Sequence, residues 1–267
     1  MSRRGNRAVL LVAALVAALP LGSVRSASAK APAKAPAKEP QAMAVLREMS
    51  TTLASAKTMR FKVRSFVPVK SPAGAWITLI GGGSVMREGK DKLFVETSGD
   101  LFPFRFYYDG KTVTAFAPNE KIYAQRDAPG TIDEVLAQAT KKGEASFVFA
   151  DLVSSDPFAA MAKDLQGAFV VGASTIDGAE TEHVAVHAKT IDWEIWIGTK
   201  DRLPRMFTLT DLADARKPTH TVQISDWELD GALPPDSFSF AAPDGAKKVP
   251  FRDPRTLATA RAPAKKP

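Results

Sequence analysis

The sequence predicts a mainly β (α+β) protein of about eleven antiparallel strands, accompanied by a few helices. Apolar residues recur at every second position over much of the chain, turns of a few residues separate the alternating segments, and one central segment changes to helical spacing. Because successive side chains of a strand point to opposite faces of the sheet, a period of two separates an apolar face from a polar one. Short turns make consecutive strands antiparallel neighbours.

The alternation is clearest between Glu180 and Gly245. Within residues 191–197, three isoleucines and Trp193 occupy one face, whereas Asp192 and Glu194 occupy the other. This stretch predicts four strands, at residues 183–188, 191–197, 203–210 and 220–229.

The N-terminal half begins with a predicted amphipathic helix at residues 41–57 and continues as strands. Gly81-Gly82-Gly83 interrupts the second strand, and glycine inside a strand indicates a bulge, a sharp bend or a close approach of another backbone. Asp109-Gly110 is the strongest hairpin signal of the chain. The strands of this half are predicted at residues 59–67, 76–87, 93–97, 102–108, 111–117 and 121–125.

Helical spacing appears between Pro129 and Asp164. Thr131 and Glu134 form a capping box that starts one helix, and Pro157 lies in the first turn of a second helix predicted at residues 157–165. A further strand follows at residues 167–175. We therefore expect helices inserted between two halves of a curved sheet, where they cover its open mouth.

The first 29 residues are predicted to be a cleavable export signal. Three arginines precede an apolar stretch at residues 8–21, which is too short to span a membrane comfortably, and Ala27-Ser28-Ala29 is a small-x-small cleavage motif. Cleavage after Ala29 would release the protein into a bacterial periplasm. Because the chain has no cysteine, it offers neither a lipidation site nor a disulfide.

One folded domain is predicted at residues 41–250, between an Ala/Pro/Lys linker at residues 30–40 and a disordered basic tail at residues 251–267. Loss of the signal peptide removes four arginines and no acid, so the formal charge falls from +7 to +3. This small charge lies partly in the tails, which argues against a nucleic-acid partner.

No catalytic constellation is visible in the sequence, and we expect a non-enzymatic protein without a catalytic residue, metal or cofactor. The chain has only three histidines. His183 and His187 share a strand face but stand about 13 Å apart, too far to bind one metal together. Their face is predicted to meet solvent. A carboxylate pair brought together by folding, as in glycosidases, stays open as an alternative.

Aromatic and aliphatic residues, in contrast, are abundant on most of the predicted strands, and their distribution allows two interpretations. They fill the interior of a small barrel, or they line an apolar groove for a lipid chain under the inserted helices. The inward-facing positions predicted to line such a groove are Phe61, Val63, Trp76, Phe104, Phe106, Leu136, Phe149, Leu152, Trp193, Ile195 and Phe207.

Several segments resemble an uncharacterised family of predicted periplasmic proteins within the superfamily of lipoprotein-localisation factors (LolA-like). The resemblance runs from Met43 to Phe251 and is most specific in the C-terminal third. The segments that carry it are Asp192-Trp193-Glu194-Ile195-Trp196-Ile197, Leu203-Pro204-Arg205, Ser225-Asp226-Trp227-Glu228-Leu229, Leu233-Pro234-Pro235-Asp236-Ser237-Phe238-Ser239-Phe240 and Ala242-Pro243-Asp244-Gly245-Ala246, with Tyr108-Asp109-Gly110-Lys111, Asp151-Leu152 and Asp156-Pro157.

The resemblance implies an open antiparallel half-barrel of about eleven strands, wrapped around helices that plug its hollow. It also implies non-enzymatic binding of a lipid or of a lipoprotein acyl chain in the periplasm. We expect a monomeric carrier of this kind. The alternative is an envelope protein-interaction or stress-sensing module, whose groove is filled by its own helices and whose partner is an envelope protein.

Overall fold

Twelve strands form one sheet in the computed structural model, which describes residues 37–100, 102–142 and 147–251. The predicted signal peptide, most of the predicted linker and residues 252–267 of the predicted tail lie outside the described residues. The described residues belong to one compact unit.

Four helices accompany the sheet in the described part of the chain: α1 Pro40–Ser55, α2 Ile132–Lys142, α3 Ala150–Val153 and α4 Pro157–Met161. The strands are β1 Thr58–Lys70, β2 Trp76–Glu88, β3 Lys92–Gly99, β4 Phe104–Tyr108, β5 Thr112–Ala117, β6 Ile122–Asp127, β7 Leu165–Ile176, β8 Ala179–Ala188, β9 Ile191–Gly198, β10 Pro204–Asp211, β11 Thr219–Leu229 and β12 Lys247–Lys248.

The sheet is open because β6 and β7 do not pair with each other. The strand order is β12-β6-β5-β4-β3-β2-β1-β11-β10-β9-β8-β7, so the first strand and the last long strand meet in the middle of the sheet. Three of the four helices lie in the chain segment between β6 and β7. The predicted open half-barrel, with helices inserted between its two halves, is confirmed.

The helices pack against one face of the sheet, which we call the concave face. Along β9 the side chains alternate between buried and half-buried, as the period of two predicts. Burial of each large apolar side chain contributes about 1.5–3 kcal/mol, so this face supplies most of the stability. The largest fully buried side chains include Phe61, Phe106, Tyr108 and Ile195 from the sheet, Leu46, Met49 and Leu53 from α1, and Ile132 from α2.

Arg87 of β2 ties α1 to the sheet. Its side chain is only 3% exposed, and its Nη2 donates hydrogen bonds to the carbonyl oxygens of Leu53 at 3.0 Å and Ala56 at 2.8 Å. The last carbonyls of a helix have no partner inside the helix, so this guanidinium satisfies two of them. Burial lowers the pKa of Arg87, and the nearby carboxylates Asp133 and Asp230 partly offset that effect.

Some boundaries differ from the sequence prediction. The helix predicted at residues 157–165 ends at Met161, because Leu165 turns inward to begin β7 opposite Ala188. Asp164 makes that turn with a positive φ of 61°. The apolar run at residues 147–153 contains the short helix α3, and β12 is a two-residue strand that lies parallel to β6.

The glycine run in β2 marks a close approach of backbones. Strand β2 continues without a register shift through Gly81, Gly82 and Gly83 against both neighbouring strands. A Cβ atom at Gly83 would overlap the carbonyl oxygen of Glu96 in β3. Of the three explanations that the sequence left open, the close approach applies at this position.

We predict that Arg87→Met lowers the free energy of unfolding by about 2 kcal/mol or more, because two buried carbonyls lose a charged donor. Urea unfolding measures this change. Arg64→Met, on the exposed face of the neighbouring strand β1, is the matched control and should change stability by less than about 0.5 kcal/mol. Equal effects of the two substitutions would contradict the capping role.

Candidate ligand-binding cavity

A cavity of about 240 Å³ lies between the concave face of the sheet and the two short helices α3 and α4. Its floor consists of apolar side chains from β9 and β10, and its roof comes from the segment that contains α3 and α4. The apolar residues that line it are Val148, Leu152, Ala160, Met161, Ala188, Ile191, Trp193, Ile195, Phe207 and Leu209.

The floor follows directly from strand alternation. Trp193 and Ile195 lie two residues apart on β9 and therefore share a face. Their partners in the antiparallel register are Leu209 and Phe207 of β10, respectively. Four large apolar side chains thus form a two-by-two surface beneath the helices.

The roof is held by a few polar contacts to the longer helices. The N–H of Phe158 in α4 donates to the hydroxyl of Ser50 in α1 at 2.9 Å, and the guanidinium of Arg47 lies 4.1 Å from the centre of the Phe158 ring. The N–H of Ser155 donates to the carboxylate of Asp133 in α2. Helices of four and five residues are not stable in isolation, so these contacts and Leu152, which is buried, keep the roof in place.

Charged residues stand at the mouth of the cavity. They are Asp151, Lys163 and Asp164, beside the hydroxyl of Thr190. The side chain of Asp151 is exposed, yet the protein around its carboxyl raises its pKa through desolvation. Within the described residues, no hydrogen bond or ion pair offsets this cost for Asp151.

The structure brings four of the predicted groove residues together and separates the others. Leu152, Trp193, Ile195 and Phe207 line the cavity. The remaining inward-facing aromatics lie in the packed core beside it. Phe61 contacts Phe149 at a ring distance of 6.0 Å, and Phe104 and Phe106 contact Phe147 at 5.8 and 5.4 Å.

Two further groove candidates are also outside the cavity. Leu136 of α2 is buried in the core, and Val63 of β1 is half-buried on the concave face, opposite Gly83. Both are inward-facing, as predicted, but neither lines the cavity.

The inward orientation predicted for Trp76 is wrong. Trp76 pairs with Lys70 and shares a face with Ile80, opposite to the face of Val85, which is buried in the core. Its ring is 44% exposed and lies under the guanidinium of Arg216, 4.9 Å from it. The glycine run separates Trp76 from the alternating part of β2, so the sequence offered no pattern that fixed its face.

Six of the ten apolar lining residues were not among the predicted groove residues, including Leu209 and Met161. Leu209 follows Phe207 at a spacing of two, so the period that selected Phe207 would also have found it. Met161 ends α4, and its position depends on how the roof folds back over the sheet.

The two strand histidines lie on the outer face of the sheet, opposite the helices. His183 stacks on Trp196 with a ring distance of 4.0 Å and contacts Glu194 at 3.2 Å, whereas His187 contacts Asp192. Each histidine therefore has its own carboxylate. Over residues 37–100, 102–142 and 147–251, no group of three or more potential ligands for a metal ion occurs.

The twelve-stranded sheet and the inserted helices form an open half-barrel with an apolar cavity beneath α3 and α4. The chain belongs to the family described as "Predicted periplasmic protein (DUF2092)", whose model matches residues 42–252. None of the helices in the described ranges is both long and apolar enough to cross a bilayer.

Solved structures with a similar fold are distant in sequence. An uncharacterised conserved protein from Thermus thermophilus is 10% identical with a TM-score of 0.46, and the match covers 76% of this chain and 97% of that one. The lipoprotein LprF from Mycobacterium bovis is 12% identical with a TM-score of 0.40, covering 80% and 100%. A LolA superfamily protein from Nitrosomonas europaea is 12% identical with a TM-score of 0.36, covering 74% and 97%. No curated protein matches the chain.

We predict that Asp151→Asn stabilises the protein at pH 7, by less than about 1 kcal/mol because the side chain is exposed and screened by solvent. Because the pKa of Asp151 is raised in the folded state, its ionisation lowers the free energy of unfolding as the pH rises through the range in which carboxyl groups titrate. The gain should therefore vanish at a pH below the ordinary range of aspartate, as measured by urea unfolding at both pH values.

The control for this prediction is Glu180→Gln, which removes an exposed carboxylate on β8 and changes the net charge equally. A gain of the same size in both variants, or a gain that persists in acid, would contradict desolvation of Asp151 as the cause.

Proposed function

We propose that this protein is a periplasmic, non-enzymatic carrier that binds an acyl chain of a lipid or lipoprotein beneath α3 and α4. The observation that carries the proposal is the apolar cavity between the β9–β10 floor and a roof of two short helices. Export by the N-terminal signal, with cleavage after Ala29, belongs to the same proposal.

The driving force for binding is hydrophobic. Each buried methylene contributes about 0.8 kcal/mol, so a chain of ten methylenes gains about 8 kcal/mol before the costs of ordering. Micromolar affinity corresponds to about the same free energy. The hydrophobic gain is therefore of the size that micromolar binding requires, before the costs of ordering are subtracted.

The cavity is too small for a whole acyl chain while the roof is closed. Its volume of about 240 Å³ lies below the range of about 300–1,000 Å³ that is usual for small-molecule sites. We infer that binding lifts α3 and α4 away from the sheet. The short length of both helices and their few polar ties to α1 and α2 support this inference.

Ala160→Phe should weaken binding of a fluorescent fatty-acid probe by about tenfold or more, because the new ring occupies space that the chain needs. Ala160 lines the cavity, whereas its neighbour Ala159 is exposed on α4. Ala159→Phe is therefore the matched control and should bind the probe as the parent does. Equal affinities of the two variants would contradict the proposed site.

Ser50→Ala should speed probe association about fivefold, because loss of one hydrogen bond to the N–H of Phe158 destabilises the closed roof by about 1 kcal/mol. Stopped-flow fluorescence measures this rate. Thr51→Ala removes an exposed hydroxyl that bonds only within α1, to the carbonyl of Arg47, and is the control. An unchanged rate for Ser50→Ala would exclude roof opening as the slow step.

A direct test of occupancy is extraction of the natively purified protein with organic solvent. The proposal expects lipid to be recovered with the protein. A protein that yields no lipid and also ignores fluorescent fatty-acid probes would contradict it.

The packed interior favours a second candidate function, an envelope protein-interaction or stress-sensing module. The aromatic side chains of Phe147 and Phe149 fold onto the concave face beside the cavity and stack at a ring distance of 5.5 Å. A groove that is filled in this way by its own chain leaves less apolar surface for a ligand to cover. Capture of one envelope protein by a chain that contains no lipid would favour this function.

A further inference from the structure

The hairpin of β1 and β2 extends beyond the strands on both sides of it. β11 pairs with β1 only as far as Phe66, and β3 pairs with β2 only from Gly81. Beyond these points β1 and β2 continue to pair with each other up to Lys70 and Trp76. Residues 67–80 therefore form a two-stranded ribbon, the 67–80 ribbon, that has no third strand beside it among the described residues.

The 67–80 ribbon is apolar on both faces. Val69 pairs with Ile77 and Val67 with Leu79 on the concave side. The outer side carries Pro68, Trp76 and Ile80 beside Lys70 and Thr78. Trp76, Ile77 and Ile80 are 44%, 46% and 47% exposed. A strand pair at a protein surface usually keeps one face polar, since only the other face packs on a core. Because apolar side chains are exposed on both faces, the ribbon suits an environment that is apolar on both sides of it.

The ribbon carries a positive charge of its own, and one carboxylate flanks its base, where Asp100 accepts a hydrogen bond from the N–H of Ile80 at 3.0 Å. Lys70 is the only charged residue between Arg64 and Arg87, so the ribbon contains a cation and no acid. At its tip, Arg216 lies over the Trp76 ring. Asp214 accepts two hydrogen bonds from the Arg216 guanidinium and one from the Arg216 backbone N–H. These bonds, together with the charges of Arg216 and Lys70, lower the pKa of Asp214 to about 2.

We propose that the 67–80 ribbon inserts into the surface of an anionic phospholipid bilayer. A protein partner would cover one face of the ribbon and leave the other in water, whereas lipid surrounds both. Tryptophan and basic side chains prefer the boundary between water and acyl chains, where their apolar parts and polar tips are both satisfied. Lys70 and Trp76 stand opposite each other at the tip, and anionic headgroups attract the lysine.

The ribbon lies at the same end of the sheet as one side of the cavity. Leu209, which lines the cavity, lies near the end of β10, and the connection from β10 to β11 carries Arg216 onto Trp76. Contact with a bilayer would therefore bring that side of the cavity close to lipid. The inference does not rest on the carrier function, since the exposed ribbon exists whether or not the cavity binds a chain.

Vesicle flotation tests the proposal with the full exported chain and vesicles of phosphatidylethanolamine and phosphatidylglycerol. The parent protein should float with these vesicles. The double variant Ile77→Ser/Ile80→Ser should have an affinity for them that is lower by about tenfold or more. The matched control is Phe169→Ser/Val171→Ser on β7, where the residues are 41% and 51% exposed. The control should float as the parent does, with circular dichroism checking that all variants fold.

Two further variants report on insertion and charge. The chain has four tryptophans, and the blue shift of their emission on vesicle addition should disappear in Trp76→Phe while flotation persists. Lys70→Gln should weaken binding to the anionic vesicles and leave binding to phosphatidylcholine vesicles unchanged.

The proposal is overturned if the parent floats with neither kind of vesicle, or if the β7 control loses as much binding as the ribbon variant. It is also overturned if the ribbon substitutions change only self-association in sedimentation velocity, which would make a second copy the occupant. Probe affinity measured without vesicles should be the same in Ile77→Ser/Ile80→Ser and the parent, so failure of membrane binding is distinguishable from failure of the carrier function.

Discussion

The pairing of β1 with β11 is the constraint on which the rest of the structure depends. It joins residues near the start of the domain to residues near its end, and it makes one sheet from the strands before and after the helical insertion. Closing so long a loop costs conformational entropy, although that cost grows only slowly with loop length. Because β1 already pairs with β11, the remaining opening can only be between β6 and β7, where the helices lie.

Apolar contacts rather than charges hold this pair of strands together. Arg60 and Glu228, and Lys62 and Asp226, form ion pairs on the outer face, but exposed pairs of this kind contribute little. On the other face a register shift opposite Phe61 places the Trp227 ring 4.4 Å from the Phe61 ring. The indole N–H of Trp227 donates to the carbonyl of Pro204 at 2.7 Å, which also secures β10.

The opening between β6 and β7 explains why the protein has a cavity at all. A barrel of about eight strands fills its interior with its own side chains, whereas a wider sheet surrounds more space than its strands can fill. Here part of the interior is filled by the inserted segment, and α3 and α4 do not fill the space over Trp193 and Phe207 completely. The small volume that remains is thus a property of the insertion, and the proposed function depends on how firmly the insertion is held.

Much of this architecture could be predicted from the sequence, because strand alternation and turn chemistry are local. The period of two on β9 placed Trp193 and Ile195 inward, and the Thr131–Glu134 capping box starts α2 as predicted, with the N–H of Thr131 donating to the Glu134 carboxylate at 2.8 Å. The face of Trp76 could not be predicted, because the glycine run breaks the alternation that would have fixed it.

Features that depend on contacts between distant parts of the chain could not be predicted from the sequence either. Helix α4 ends at Met161 because Leu165 pairs with Ala188 in the sheet. Trp227 faces inward because of a register shift between β11 and β1. The size of the cavity depends on how Phe147 and Phe149 pack against distant strands, and the periodicity of the sequence does not predict such contacts.

The most direct measurement of the central claim is a crystal structure of the protein with a fatty acid that carries bromine at its methyl end. Anomalous scattering locates the bromine independently of the protein. We expect the bromine between α4 and the β9–β10 floor, near Leu152, Trp193 and Phe207, with α3 and α4 displaced from the sheet. Bromine bound elsewhere, or a saturated protein whose roof is unmoved and whose cavity is empty, would contradict it.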